Sequence, residues 1–197
     1  MHLFHVEYGS GVPLVLLHGF PFDHTIWEEV IGEIKKGIRI IAPDLRGHGS
    51  SIIEESNYSI VDMASDVIEL LDHLQLGQVG IAGHSLGGYI ALEIARIFPE
   101  RVSGLILIAS HIYADSLEKK QSRFNTADQI KTRGVQEILA DMPKKLTHNK
   151  NVRIICQDAV AKMDSNGAIG ALHAMANRGS RTCLENTGCS HIGDRRI

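Results

Sequence analysis

The segment Gly80-Ile-Ala-Gly-His-Ser-Leu-Gly-Gly-Tyr-Ile-Ala-Leu-Glu-Ile-Ala95 sets a single serine, Ser85, between glycines where two hydrophobic patterns meet. The residues before it form a short apolar run, typical of a buried strand, and the residues after it have helical periodicity. A serine in a sharp turn between a strand and a helix has its hydroxyl lifted clear of the sheet. The segment therefore predicts a strand–turn–helix unit with a serine hydroxyl at the turn.

Gly83 and Gly87 complete a G-x-S-x-G pattern around this serine. A side chain at either glycine is expected to collide with neighbouring backbone, because a strained turn brings chain segments together. The helix that begins at Leu86 would direct its first N–H groups at the serine and favour negative charge there. We therefore expect the Leu86 N–H to bind the oxyanion of a tetrahedral intermediate. The alternative is that Ser85 only caps the helix.

Strand-like and helix-like patterns alternate through the first half of the chain. Apolar runs predict strands at 3–8, 13–17, 39–42, 79–82 and 102–109, and helical periodicity predicts helices at 24–36, 57–75 and 86–98. This alternation predicts an α/β fold, with a mostly parallel sheet covered by helices on both faces. In such sheets, functional groups collect at the carboxyl ends of the strands.

The pattern changes after residue 110. Residues 116–180 show no period-two alternation, and helices are predicted at 129–140, 152–163 and 169–177. We interpret 111–180 as a helical cap inserted into one domain of residues 1–197, whose core is 1–110 and whose last part, 181–197, is an incomplete return to that core. Ordinary crossover helices are the alternative interpretation.

Composition limits the classes of function. The chain has 197 residues, of which 44% are hydrophobic and 22% charged, and its net charge is −3. Nothing in this balance indicates a nucleic acid or an anionic membrane as partner. No apolar run is long enough to span a bilayer, and the N-terminus lacks the pattern of a signal peptide. The three cysteines lack metal-ligand spacing, so we expect a cytoplasmic protein with no metal and no cofactor; its oligomeric state stays open.

Three motifs occur in series: His18-Gly19-Phe20, Asp44-Leu-Arg-Gly-His-Gly-Ser50 and Gly83-His-Ser-Leu-Gly-Gly88. Together they resemble the α/β-hydrolase superfamily, and within it the small carboxylesterases and the 3-oxoadipate enol-lactonase-like proteins. The resemblance covers residues 1 to about 186 and implies a helical cap over the sheet. The motifs are specific for the fold and unspecific for the substrate.

The resemblance also implies roles for individual residues. Ser85 would be the nucleophile, the N–H groups of Phe20 and Leu86 would form the oxyanion hole, and His18 would bond the loop backbone. Three aromatic side chains would line an acyl pocket, with core packing as an equal alternative: Phe22, Trp27 and Tyr89.

The superfamily's order along the chain is nucleophile, acid and then histidine. The sequence departs from this pattern near Gly188, where the expected apolar run is missing, and we interpret the departure as a truncation or a shifted reading frame. Asp194 or Asp115 would then be the acid. The general base is not identified; the histidines considered for it are His111, His148, His173 and His191.

The leading hypothesis is a hydrolase of small carboxylic esters or lactones that forms an acyl-enzyme at Ser85. The alternatives are a non-catalytic hydrolase-fold protein that binds a small acyl ligand, and an inactive fragment that lacks the catalytic histidine. Within the superfamily, dehalogenases and epoxide hydrolases carry aspartate at the elbow, so the serine disfavours both. A cofactor-free haloperoxidase-like activity stays open.

Overall fold

The computed structural model describes residues 2–34 and 36–180. In this part of the chain, five strands form one sheet in the order β1-β3-β2-β4-β5. The antiparallel β1 lies at one edge, and the other four strands are parallel. The strands are β1 (His5–Gly9), β2 (Gly11–Leu17), β3 (Gly37–Pro43), β4 (Val79–His84) and β5 (Val102–Ile108). The predicted α/β sheet is confirmed.

Three helices connect the strands, and five more follow the last one. The connecting helices are α1 (Glu28–Glu33), α2 (Ile60–His73) and α3 (Leu86–Ile97), with short 3₁₀ turns at His24–Trp27 and Pro99–Arg101. The later helices are α4 (Leu117–Arg133), α5 (Val135–Leu139), α6 (Met142–Leu146), α7 (Lys150–Lys162) and α8 (Ser165–Asn177). Residues 117–177 contain no strand, as their patterning predicts.

Helix α2 begins at a capping box formed by Ser59 and Asp62. The Ser59 side chain accepts a hydrogen bond from the Asp62 N–H, and the Asp62 carboxylate accepts one from the Ser59 N–H. This capping box satisfies N–H groups that the first turn leaves unpaired and stabilises the helix by about 1 kcal/mol. Met63, Val67 and Leu71 then follow at helical spacing and are buried in the core.

Two predicted helices are divided differently in the structure, and the helix predicted at 169–177 begins earlier, at Ser165. The helix predicted at 129–140 is two helices, because α4 runs to Arg133 and Gly134, at φ 85°, ends it before α5 begins. Most of α4 is polar, with only Ala127 and Ile130 buried, so its first turns have no apolar stripe that the sequence could reveal. The helix predicted at 24–36 is a 3₁₀ turn followed by the short α1.

The side chains of β2, β3 and β4 alternate between two hydrophobic clusters on opposite faces of the sheet. In β2, Val15 and Leu17 belong to the larger cluster, which α2, α3 and α8 cover, and Leu16 belongs to a smaller cluster beneath Trp27. Burial of each Leu or Ile in such a cluster stabilises the fold by roughly 1.5–3 kcal/mol. The period-two pattern therefore gives the sheet a core on both faces.

Helix α8 is seated directly on the loop that follows β3. A Cβ atom at Gly167 would lie 1.9 Å from the carbonyl oxygen of Gly47, so the two backbones touch. The Tyr58 hydroxyl donates a hydrogen bond to the Gly167 carbonyl at 2.7 Å. These contacts tie the helical segment to the carboxyl edge of the sheet. Among the residues that the structure describes, no helix combines the length and the apolar character needed to cross a bilayer.

Candidate active site

Ser85 lies at the sharp turn between β4 and α3. Its backbone has φ 48° and ψ −108°, a conformation that residues with a side chain rarely adopt. The turn is bonded to the neighbouring strand, because the Ser85 N–H donates to the Ile108 carbonyl at 2.9 Å. The Ser110 hydroxyl also donates to the Ser85 carbonyl at 2.9 Å. Surrounding structure thus holds the strained serine in place.

The glycines around Ser85 occupy positions that exclude a side chain. A Cβ atom at Gly83 would lie 2.4 Å from the Gly87 carbonyl oxygen, and one at Gly87 would lie 2.2 Å from the Leu17 carbonyl oxygen. Real Cβ atoms essentially never approach a neighbour within 3.0 Å. The turn is therefore packed against the end of β2 through backbone alone.

The Ser85 side chain makes no capping hydrogen bond to α3, so helix capping does not explain the serine. The first N–H groups of a helix have no partner within the helix. Leu86 is the first residue of α3 and presents such a group beside the serine. The positive end of the helix dipole adds to the attraction for negative charge at this point.

His18 joins the two loops beside the turn. Its Nε2 atom accepts a hydrogen bond from the Leu45 N–H at 2.9 Å, and its Nδ1 atom donates to the Gly19 carbonyl at 3.0 Å. This pattern requires the neutral ring, with its proton on Nδ1. Burial, together with the nearby His48, holds the pKa of His18 well below its usual value. His18 therefore serves as a neutral structural connector, as the resemblance implies.

Phe20 and Ser85 leave neighbouring strands at the same edge of the sheet. Leu17, at the end of β2, pairs with Gly83 near the end of β4. The Phe20 ring is buried and stands edge-on to His48 with the ring centroids 6.1 Å apart. His48 donates from Nδ1 to the Arg46 carbonyl at 2.9 Å, and burial lowers its pKa to about 4.

A buried carboxylate, Asp44, organises the loops at this edge. Its Oδ1 atom accepts the His24 N–H at 2.9 Å and lies 2.7 Å from the His24 Nδ1, and its Oδ2 atom accepts the Ser50 N–H at 2.8 Å. Asp23, His24 and Asp44 place potential metal ligands within 4.8 Å of one another. The Asp23 carboxylate accepts the N–H and hydroxyl of Thr25. These hydrogen bonds give the cluster a role in loop structure.

The three aromatic residues predicted to line an acyl pocket lie in different surroundings. Trp27 packs in the smaller core cluster with Leu16. Phe22 is buried in a separate cluster with Cys156 of α7. Tyr89 is buried under the guanidinium of Arg178, whose central carbon lies 3.7 Å from the centroid of the Tyr89 ring.

Asp115, one of the two candidate acids, forms a buried ion-pair cluster. Its Oδ1 atom lies 2.9 Å from Arg178 Nη1, and its Oδ2 atom accepts a hydrogen bond from Arg123 Nε at 2.5 Å. Arg178 also donates to the carbonyls of Met175 and Tyr113. Bonds to the two arginines outweigh the cost of burial, and the pKa of Asp115 is lowered. The cluster ties the end of α8 to the loop after β5, a role that the sequence did not indicate.

The candidate histidines are dispersed. The His111 Nε2 atom lies 3.3 Å from the Tyr89 hydroxyl, His173 packs edge-on to Phe124, and His148 is exposed. Among residues 2–34 and 36–180, no histidine is hydrogen-bonded to the Ser85 hydroxyl. His191, Asp194 and the departure predicted near Gly188 lie outside the described residues.

Comparison with known proteins identifies the family. The alpha/beta hydrolase fold family matches residues 12–137, and the chain belongs to it. The chain is similar to a thermophilic esterase structure from Thermogutta terrifontis, with 31% identity and a TM-score of 0.85 over 95% of this chain and 72% of that one. An enol-lactonase from Burkholderia xenovorans LB400, with 22% identity and a TM-score of 0.80 over 91% of this chain and 71% of that one, shares the fold.

Curated relatives match over a shorter region. A soluble epoxide hydrolase from Corynebacterium sp. (strain C12) is 43% identical over 104 residues, which are 53% of this chain and 36% of that protein. An uncharacterized protein from Mycobacterium bovis is 39% identical over 102 residues, 52% of this chain and 30% of that protein. The chain thus matches about a third of the length of these relatives. Esterases, a lactonase and epoxide hydrolases all share this fold.

A methyl group at the turn tests the packing against β2. Gly87→Ala would place a Cβ atom inside the contact radius of the Leu17 carbonyl, so we expect unfolding free energy to fall by more than about 4 kcal/mol. Gly32→Ala, in α1 with open space around the new Cβ atom, should raise it by about 0.5–1 kcal/mol. Urea denaturation measures both, and equal stabilities would contradict the described turn.

The buried imidazoles predict a pH dependence of stability. The folded pKa of His48 is about 4, whereas an unfolded histidine titrates near its ordinary value of 6.5. Between pH 6.5 and pH 4, His48 is therefore protonated in the unfolded state and neutral in the folded state, which favours unfolding. Stability should therefore decline over this window. His48→Asn, whose amide can still donate to the Arg46 carbonyl, should reduce the slope by up to about 1.4 kcal/mol per pH unit. Urea denaturation across this pH window measures the slope, and an unchanged slope in His48→Asn would contradict the effect of the buried ring.

The ion-pair cluster predicts an unequal cost for two arginine substitutions. Arg178→Met leaves a buried carboxylate with one of its two arginines, so we expect a loss of about 3 kcal/mol in unfolding free energy. The exposed Arg133, paired with Glu137, is the control, and Arg133→Met should cost less than about 1 kcal/mol. Chemical denaturation measures both variants. A cost for Arg178→Met as small as the control's would show that the cluster does not stabilise the fold.

Proposed function

We propose that this chain is a serine hydrolase that acts on small carboxylic esters or lactones, with Ser85 as its nucleophile. The observation that carries the proposal is the strained backbone of Ser85 at the start of α3, held there by Ile108 and Ser110. Strain of this kind persists only where surrounding structure enforces it, and it is found most often at functional sites. The serine side chain is not used in capping, so its hydroxyl is available for chemistry.

The proposed reaction begins with attack of the Ser85 oxygen on the carbonyl carbon of the substrate. The carbon–oxygen double bond opens, and the N–H groups of Leu86 and Phe20 stabilise the negative charge on the former carbonyl oxygen. Collapse of this intermediate expels the alcohol, which takes a proton, and leaves an ester on Ser85. Water then attacks the acyl-enzyme and releases the carboxylic acid.

A base must accept the Ser85 proton and return it to the leaving alcohol. No described histidine is hydrogen-bonded to the Ser85 hydroxyl, and Asp115 is engaged by two arginines. We therefore propose that neither acid nor base comes from the described residues, with Asp194 as the remaining candidate for the acid. Without a paired base, an oxyanion hole and binding alone sustain rates of roughly 10³–10⁴ times that of water. We expect acylation of Ser85 to be easier to detect than ester turnover.

Similarity to the esterase structure supports carboxylic esters, rather than epoxides, as the substrates. The similarity to an epoxide hydrolase is also substantial, at 43% identity over the matched part. Epoxide hydrolases of this superfamily carry aspartate at the elbow, where this chain carries Ser85. A carboxylate opens an epoxide by forming an ester that water can hydrolyse, whereas a serine would form a stable ether. The side chain at the turn therefore favours acyl transfer.

We further propose that helices α4–α7 form a cap that shapes the substrate pocket. The support is the cluster in which Phe22, from the loop after β2, packs against Cys156 and Ala159 of α7. This contact joins the helical segment to the loop that carries Phe20. Side chains of α7 are thus close enough to the loop to influence which acyl groups fit.

A second candidate is a hydrolase-fold protein that binds a small acyl ligand without turnover. The lack of a histidine bonded to Ser85 in the described residues favours this candidate. The two proposals differ in whether Ser85 forms a covalent bond.

A fluorophosphonate probe tests the nucleophile. We expect the folded chain to be labelled on Ser85, because attack on phosphorus uses the same turn and oxyanion hole, and Ser85→Ala should reduce labelling at least tenfold. Ser65→Ala, which changes a half-buried serine within α2, is the matched control and should label like the original chain. Peptide mass spectrometry identifies the labelled residue, and circular dichroism checks the fold of each variant.

Absent labelling of a folded chain, or labelling that survives Ser85→Ala, would contradict the serine-hydrolase proposal. Turnover of p-nitrophenyl acetate by the chain and by Ser85→Ala gives the companion measurement. We expect the two rates to be similar, because the oxyanion hole and substrate binding are common to both chains. A large difference between them would instead show that a histidine of this chain acts as the base.

A further inference from the structure

The chain leaves β5 through a strained residue that brings a hydroxyl to the Ser85 turn. Ala109, directly after β5, has φ 47°, a left-handed conformation that residues with a side chain rarely adopt. Before this bend, the Ile108 carbonyl accepts the Ser85 N–H at 2.9 Å. After it, the Ser110 hydroxyl donates to the Ser85 carbonyl at 2.9 Å. The bend therefore lets two neighbouring residues bond both backbone groups of the serine.

Gly88, in the first turn of α3, leaves room for the Ser110 side chain. A Cβ atom at Gly88 would lie 2.3 Å from Ser110 Oγ and 2.4 Å from Ser110 Cβ. The hydroxyl thus lies directly against the helix backbone, in a place that a side chain on α3 would occupy. The Gly88 N–H itself donates to the Ser85 carbonyl at 3.0 Å. This carbonyl oxygen therefore accepts hydrogen bonds both from the helix and from the loop after β5.

The Ser85 carbonyl and the Leu86 N–H belong to the same peptide unit. Such a unit is planar, and in the usual trans form its C=O and N–H groups point in opposite directions. Its orientation is set by the Ser85 ψ of −108°, which lies outside the common regions of backbone conformation. A donor that fixes the carbonyl oxygen therefore also fixes the direction of the Leu86 N–H.

We propose that Ser110 is a positioning residue for the oxyanion hole and acts through the peptide unit of Ser85 and Leu86. This inference rests on the proposed function, in which the Leu86 N–H stabilises the oxyanion. The Ser110 hydroxyl holds the peptide unit so that its N–H is directed at the oxyanion. Hydrogen bonds in a chain polarise one another, so a bond at the carbonyl makes the N–H of the same unit a stronger donor.

The bond to the Ser85 carbonyl separates this role from direct contact with the substrate. A hydroxyl has one hydrogen to donate, and the Ser110 hydrogen is used at the Ser85 carbonyl. Ser110 therefore has no second hydrogen with which to stabilise the oxyanion, and its effect passes through the Leu86 N–H. Loss of the Ser110 hydroxyl should lower the rate of the chemical step and leave the affinity of the first complex unchanged.

Labelling kinetics with the fluorophosphonate probe test the inference, with the dissociation constant KI of the first complex and the maximal labelling rate kinact measured separately. In Ser110→Ala we expect kinact to fall roughly tenfold at unchanged KI, less than the roughly 10²–10³-fold lost when an oxyanion-hole donor is removed outright. Ser110→Cys keeps a side chain of similar size but has only a weak S–H donor, so it should lose as much. Ser65→Ala removes a hydroxyl that donates to the Val61 carbonyl within α2, and as the matched control it should keep both constants.

The chemical shift of the Leu86 amide nitrogen gives a second readout that requires no reaction. This shift responds to hydrogen bonding at the carbonyl of the preceding residue, so both Ser110 variants should move the Leu86 resonance. Ser65→Ala should leave it in place. If Ser110→Ala does not fold, Ser110→Cys supplies the same comparison.

The outcomes separate this inference from the proposed function. Labelling of Ser85 in the original chain, with an equal kinact in Ser110→Ala, would overturn the inference and leave the serine-hydrolase proposal standing. A change confined to KI, a full rate in Ser110→Cys, or an unmoved Leu86 resonance would also overturn the inference. A folded original chain that is not labelled on Ser85 would overturn both.

Discussion

The close packing of the Ser85 turn against the end of β2 is the constraint on which the site depends. Two glycines, Gly83 and Gly87, allow backbone to meet backbone where any side chain would overlap a carbonyl oxygen. That contact sets the depth at which α3 begins and hence the place of its first N–H groups. It also sets Ser85 at a positive φ, which hydrogen bonds with Ile108 of β5 and with Ser110 then hold. A serine on an ordinary helix would have none of these properties.

Sequence predicts this part of the molecule well because its signals are local. The glycine spacing around Ser85, the capping box of Ser59 and Asp62, and the apolar strand runs each act within a few residues. The predicted bounds of α4 are wrong because this helix is held by long-range contacts with α8, while its own surface is polar. Trp27 could have lined a pocket or filled the core, and only the arrangement of the strands decides between them.

The polar groups around the turn were the hardest to anticipate. Arg178 and Asp115 are 63 positions apart in the sequence, and nothing near either residue indicates that they meet. His18 could be recognised as a loop residue from its motif, but its neutral state follows from burial beside His48, which the fold creates. Carboxylates, imidazoles and guanidinium groups at this edge mostly bond to backbone or to one another. They hold the loops that surround Ser85.

The contact between Gly47 and Gly167 has a consequence for how the helical segment could be remodelled. Since two backbones touch there with no side chain between them, α8 has a fixed seat on the sheet, and the hydrogen bond from Tyr58 keeps it in place. The stretch between the end of α4 and the start of α8 carries no such contact with Gly47. This stretch can therefore be exchanged or lengthened in a chimera. Gly47 and Gly167 should be kept, because their contact fixes the position of α8 on the sheet after a new segment is inserted.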